Sequence, residues 1–172
     1  MHLHDKKTNL VEYQHVDTDL PQTNRDPNDV LFIDCQRHDR PDVVDGFNVK
    51  RFFNNLETNY LGRSLVFADR VSTTMELANR FQRVNGVVAL TNYQTAGIGR
   101  NANRWLSPKG CAMFTISLEL SMSSALMARL PLIQHLASLS VILALPTSEL
   151  NVKIKWPNDI LFVESMSKVA GI

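Results

Sequence analysis

Apolar residues in this chain fall in short, β-branched runs separated by polar turns, and one long apolar stretch breaks that rhythm. Val30-Leu-Phe-Ile33 is the first compact run and predicts a short strand. Ser64-Leu-Val-Phe-Ala68, Gly86-Val-Val-Ala-Leu-Thr-Asn-Tyr93 and Ala112–Leu120 predict three more. In Ala112–Leu120 the apolar side chains are almost continuous, the pattern of a strand with both faces of its sheet covered. Between the first two runs, Phe52, Phe53 and Leu56 recur at helical spacing, and Leu61-Gly62 predicts the end of that helix. After Ala68 the period changes again. Thr73 followed by Glu76 has the spacing of a capping box, and Leu77, Ala78, Phe81 and Val84 line one face of the helix it opens.

Residues 121–146 hold the long apolar stretch. Pro131 fits a first helical turn, so the helix is expected from about Leu130 to Pro146. Leu132, Ile133, Leu136, Leu139, Val141, Ile142, Leu143 and Leu145 surround its axis, which predicts a helix buried on all sides. Val152–Trp156 and Ile160–Val163 then flank the turn Pro157-Asn158-Asp159, and Lys168–Ile172 begins another apolar strand. The order is strand, helix, strand, loop, strand, helix, hairpin: an α+β domain with a mixed β-sheet packed against helices. Stopping inside an apparent strand is the mark expected of an incomplete sequence.

Charge divides the chain more sharply than hydropathy does. Residues 1–45 carry ten acids against five bases, a balance of −5, contain no glycine and show no sustained period. They are expected to be an acidic, poorly ordered leader before a domain at 46–172. The leader holds four of the five histidines, so catalysis by histidine in the folded part is disfavoured, and His2, His4 and His15 lack the cysteine frame of a zinc site. Residues 46–172 carry seven acids and thirteen bases, a balance of +6, which favours an anionic ligand. Two cysteines, Cys35 and Cys111, make no disulfide framework. No run approaches the roughly 20 apolar residues of a bilayer span, and the amino terminus has no apolar signal segment. The expectation is a cytoplasmic protein with no membrane partner.

The candidate chemistry lies in the loop from Gln94 to Cys111. It contains Gly97, Gly99, Arg100, Arg104 and Trp105 between two strand runs. Gly97-Ile-Gly99-Arg-Asn-Ala102 has the spacing of a dinucleotide fingerprint, but Pro108 and Gly110 leave no room for the helix that motif must open. A Gly-Lys-Ser/Thr phosphate loop is absent from the sequence. An Arg/Trp loop can also bind single-stranded nucleic acid, but there is no continuous basic stripe, and no nucleic-acid partner is expected. Arginines suit carboxylate or phosphate, and Trp105 offers an apolar surface.

Four motifs in one order complete the picture: Gln94-Thr-Ala-Gly-Ile-Gly-Arg, Trp105-Leu-Ser-Pro-Lys-Gly110, Lys155-Trp-Pro-Asn-Asp159 and Lys168-Val-Ala-Gly171-Ile. Together they resemble the biotin protein ligases, or holocarboxylase synthetases, of the eukaryotic type, with Thr73-Thr74-Met75 in the place of that family's Ser/Thr-Thr pair. The resemblance implies the biotin/lipoate ligase catalytic fold, related to class II aminoacyl-tRNA synthetases, and further strands and a β-barrel beyond residue 172. It implies ATP-dependent formation of biotinyl-5′-AMP, with Mg²⁺, and transfer of biotin to a lysine of a biotin carboxyl carrier domain, in the cytoplasm with a mitochondrial pool. It implies that Arg100 and Lys168 are catalytic. Biotin would meet Thr73, Thr74, Met75, Gln94, Gly97, Ile98, Gly99, Arg100, Trp105, Lys168 and Gly171. ATP would meet Arg100, Arg104, Trp105, Asn158 and Asp159, with Asp159 the metal ligand. The chain departs from the family at Ile98, where an arginine is common, and at Asn103, where many members have a base. A lipoate-ligase-like acyltransferase and a non-catalytic biotin-binding fragment remain as alternatives.

Overall fold

A computed structural model describes residues 30–146 and 150–172. His2, His4, His15 and most of the acidic leader lie outside the described residues. The chain divides into two compact units, Met1–Glu119 and Leu120–Ile172.

The first unit contains β1 (Leu31–Asp34), β2 (Val43–Val44), β3 (Phe47–Asn48), α1 (Val49–Asn54), β4 (Ser64–Val71), α2 (Thr74–Asn79), β5 (Val88–Gln94) and β6 (Met113–Ile116). Four strands make one sheet in the order β1-β4-β5-β6. β4 and β5 are parallel, with Leu65 opposite Val88, and α2 lies on the connection between them. β1 and β6 pair antiparallel on the two outer sides, so the sheet is mixed. The boundary expected at residue 45 falls inside this unit, because β1 and β2 precede it.

β4 is the strand with both faces covered. Val66 and Ala68 pack with Leu77, Ala78, Phe81, Val87 and Ala89 under α2. Leu65 and Phe67 point the other way, into Ile33, Val44, Val49 and Val88. Full burial of a side chain the size of Phe67 stabilises the fold by about 1.5–3 kcal/mol. The predicted aromatic helix is α1, and Phe52 and Phe53 pack on this second core. It ends at Asn54 rather than near Leu61, because the Asn55 side-chain amide donates to the Arg51 carbonyl at 2.8 Å and its backbone N–H reaches the same oxygen.

β6 does not meet the expectation of two covered faces. Met113 is buried, while Phe114 and Ile116 are exposed. Their cross-strand partners explain why. Phe114 and Ile116 sit opposite Leu90 and Val88, on the face that α1, β2 and β3 cover farther along the sheet. That cover ends before the β6 edge.

The second unit contains α3 (Leu130–Ala144), β7 (Val152–Lys155), β8 (Asp159–Phe162) and β9 (Lys168–Gly171). The strands form an antiparallel sheet in that order, as the hairpin pattern predicts. α3 differs from its expectation. Ser138 is its one fully buried residue, and Leu132, Leu136, Leu139 and Leu143 are exposed. An all-round apolar pattern records what a helix is able to bury; among the described residues, cover is supplied on one side. The run Met127–Ala144, 18 residues, is also long and apolar enough by length and composition to cross a bilayer, contrary to the expectation that no such run exists.

Candidate functional site

The parallel pair β4–β5 sends both chains out of the sheet at the same end, and there the first unit gathers its buried polar side chains. Thr73 is the N-cap of α2 and Gln94 is the last residue of β5. Thr73 and Thr74 are 3% and 5% exposed, and Ser107 is 4% exposed. The Thr74 backbone N–H donates to Gln94 Oε1 at 2.8 Å, and the Thr74 hydroxyl donates to the same oxygen at 3.2 Å. Thr74 Oγ1 also lies 2.9 Å from Thr115 Oγ1 on β6. On its other side, Gln94 Nε2 donates to Ser107 Oγ at 2.9 Å. A chain of four polar side chains therefore runs from β6 across α2 and β5 to the loop. Buried polar groups need such partners, since each one left unpaired costs about 1–3 kcal/mol.

The capping box forms in altered register. The Thr73 hydroxyl accepts from Met75 N–H at 3.1 Å, and the Glu76 carboxylate accepts from the Ser72 hydroxyl one residue earlier. Helix capping thus occupies Thr73, while Thr74 faces the network. Met75, at the start of the helix, is exposed.

The loop from Gln94 to Ser107 is a closed hairpin. Thr95 and Ala96 N–H groups donate to Val71 and Ser72 carbonyls at 2.9 Å each, tying its base to the end of β4. Above that base, Trp105 N–H donates to Gly97 O at 2.8 Å and Gly99 N–H donates to Asn103 O at 2.7 Å. Ile98 and Arg104 face each other across this ladder. Arg100–Ala102 forms a tight turn at the tip, with Asn101 and Ala102 in the left-handed region at φ 56° and 59°. Gly97 is buried, and a Cβ there would lie 2.7 Å from Trp105 O and 2.8 Å from Ser107 Oγ. Gly99 has no such restriction; its nearest neighbour would be Asn103 O at 3.4 Å. Arg100, Arg104 and Ile98 are exposed along the hairpin, and Trp105 is half-buried.

The second unit assembles its own predicted residues. Lys168 Nζ and Asp159 Oδ1 form an ion pair at 2.6 Å between neighbouring strands β9 and β8. Asp159 is directly opposite Gly171 in that pairing. Asn158 is buried; its side-chain amide donates to Ile172 O at 2.9 Å, and its carbonyl accepts from Ile172 N–H at 3.0 Å. Gln134 Nε2 on α3 donates to the same Ile172 carbonyl at 3.0 Å. Trp156 is 78% exposed and lies against His135, with ring centroids 6.4 Å apart. Among the described residues no group of three His, Cys, Asp or Glu side chains is arranged to hold a metal. Asp159, one carboxylate with Lys168 on one oxygen, does not make a resident Mg²⁺ site by itself.

Ser107 and Thr115 are the members that sequence reasoning missed. Ser107 stood within a quoted motif, and Thr115 was visible as a lone hydroxyl in an apolar strand.

A model of the biotin/lipoate A/B protein ligase family matches residues 67–172. The chain belongs to that family. Human biotin–protein ligase is 37% identical over 134 residues, covering 73% of this chain and 18% of the human protein. The chloroplastic biotin–protein ligase 1 of Arabidopsis thaliana is 37% identical over 140 residues, covering 76% of this chain and 36% of the relative. A solved biotin protein ligase from Leishmania major in complex with biotinyl-5-AMP is 31% identical, with a TM-score of 0.47, over 62% of this chain and 49% of that one. The chain therefore spans well under half the length of these curated relatives. The match begins within β4, so this ligase-family region includes both the Thr74–Gln94 network and the Lys168–Asp159 pair.

Proposed function

We propose that the chain carries the biotin-recognition and carboxylate-activation parts of a biotin–protein ligase. Biotin's carboxylate attacks the α-phosphorus of ATP, the bond to the β-phosphate breaks, and pyrophosphate leaves. A lysine amine of a biotin carboxyl carrier domain then attacks the biotinyl carbonyl and AMP leaves. The observation that carries this reading is the meeting of Thr74 and Gln94 at 2.8 Å in a buried polar chain. Biotin's head is a compact cyclic urea on an apolar body, and it needs a few fixed donors and acceptors in a mostly apolar wall.

The charges suit the first half-reaction. Bringing a carboxylate to a polyphosphate requires positive charge fixed beforehand, and Arg100 and Lys168 supply it in this reading. Lys168 is aimed by its bond to Asp159, which supports an orienting role for that carboxylate. The resemblance assigns Arg104 and Trp105 to the nucleotide, and within the second unit Asn158 is held to Ile172 by its side-chain amide. Mg²⁺ would arrive with the nucleotide phosphates, as magnesium does in sites built on substrate oxygens. The carrier domain of a biotin-dependent carboxylase and a cytoplasmic site of action complete the proposal; the two unpaired thiols, Cys35 and Cys111, are in keeping with it.

Calorimetry on the purified chain tests the core of this reading. Biotin is expected to bind and lipoate is not, because an aliphatic dithiolane offers nothing to the Thr74–Gln94 dipoles. Lipoate binding in preference to biotin would overturn it.

A further inference from the structure

We infer that Ser107 is a positioning residue for ligand recognition: it holds the Gln94 carboxamide so that one remaining N–H faces the acceptor of a bound head group. The inference rests on the biotin reading above and assigns a role to a residue outside the resemblance's site list. A backbone N–H can only donate, so the Gln94 atom 2.8 Å from Thr74 N must be the oxygen. That fixes which end of the amide faces α2. The nitrogen then points to Ser107 Oγ at 2.9 Å, which accepts one of its two hydrogens. Oε1 already receives the Thr74 N–H and hydroxyl, so the second Nε2–H is the one hydrogen-bonding function of the amide left for a ligand. Thr74 sets the sense of the amide, and Ser107 sets its rotation.

Ser107 is itself held firmly. It is buried, its carbonyl accepts from Gln94 N–H at 3.4 Å, and the bare Cα of Gly97 leaves its hydroxyl room that a methyl group would take. A urea oxygen is the acceptor this N–H fits. A cyclic guanidinium in the same place offers only donors and gains nothing from it.

The test is calorimetry of biotin and of 2-iminobiotin, which replaces the urea oxygen with an imino nitrogen, on the full wild-type chain and on Ser107→Ala. Biotin affinity is expected to fall about tenfold, the weight of one neutral hydrogen bond, and iminobiotin affinity by less than about threefold. Selectivity between the two ligands therefore drops, a change that general loosening of the loop does not produce. Equal losses for both ligands, or no loss for either, overturn the positioning role while leaving the biotin reading intact. Failure of the wild-type chain to bind biotin overturns both. Should Ser107→Ala not fold, Ser107→Cys keeps a weak acceptor and decides the matter by the same ratio.

Discussion

Replacing Gly97 by alanine puts the hairpin geometry to a quantitative test. Its added methyl carbon would stand 2.7 Å from the Trp105 carbonyl oxygen, 2.8 Å from Ser107 Oγ and 3.2 Å from Gln94 Nε2. Ordinary van der Waals contact begins at 3.4 Å, so the Trp105 carbonyl must retreat by 3.4 − 2.7 = 0.7 Å. That oxygen belongs to the peptide whose residue donates its N–H to Gly97 O at 2.8 Å, so the retreat pulls against the hairpin's own ladder. Overpacking of this kind costs about 1–3 kcal/mol. Because the strain falls on a peripheral hairpin and not on the β4 core, the cost should appear as a displaced loop. Biotin affinity should then fall by about 5–150-fold, the factor corresponding to that energy, while the melting temperature moves little. Gly99→Ala is the internal control for the hairpin geometry, read by amide exchange at Trp105: its methyl meets Asn103 O at 3.4 Å, and its backbone, at φ −97°, suits any residue. The assays are calorimetry with biotin, thermal melting, and amide exchange at Gly99 and Trp105, whose N–H groups form the ladder. Equal affinity for wild type and Gly97→Ala, with unchanged protection at Trp105, would refute the reasoning.

Three further perturbations separate structural from chemical roles. Lys168→Met should lower adenylate formation, measured as ATP-dependent pyrophosphate release, with a stability change below about 1 kcal/mol, because its ion pair is partly exposed; loss of folding instead would make the pair structural. Asn158→Ala should destabilise the chain by about 0.5–1.5 kcal/mol in urea denaturation, since it removes one of two side-chain donors to the Ile172 oxygen and leaves Gln134 as the other, and an unchanged midpoint would remove that role. Ile98→Arg places a guanidinium across the hairpin from Arg104. It should slow adenylate release while weakening the free hairpin through like-charge repulsion, visible as faster amide exchange at Trp105; faster release would show that the added charge does not face the adenylate.

What could be read from the sequence follows from the range of the interactions involved. β4, α2 and β5 were legible because their residues alternate or recur at helical spacing, and the cores on either side of β4 use those same residues. The absence of a helix after Gly99 was legible from Pro108 and Gly110 alone. The hairpin between Gly97 and Trp105 was not, since its ladder is made by backbone groups and two residues in the left-handed region, Asn101 and Ala102, that no periodicity reports. The altered capping register at Thr73 depended on the Ser72 hydroxyl taking Glu76 in place of the Thr73 backbone N–H, a local choice between two donors. The exposure of α3 and of Phe114 on β6 was hidden for a different reason. Apolar patterning states a capacity for burial, and the cover must come from elsewhere. For the site, motif order singled out Thr74 and Gln94, but Thr115 became visible only when the β5–β6 register placed it opposite Ala89 on the α2 side of the sheet.

The polar chain from Thr115 to Ser107 ends before Glu119, the last residue of the first unit. During synthesis, which proceeds from the amino terminus and folds units in turn, the complete polar network leaves the ribosome before Lys168 is made. A vitamin held by that network alone binds only the folded unit and so stabilises it by mass action. Under the proposed function, supply of biotin would then influence how much nascent chain survives until Lys168 is added, coupling the abundance of the protein to that of its ligand.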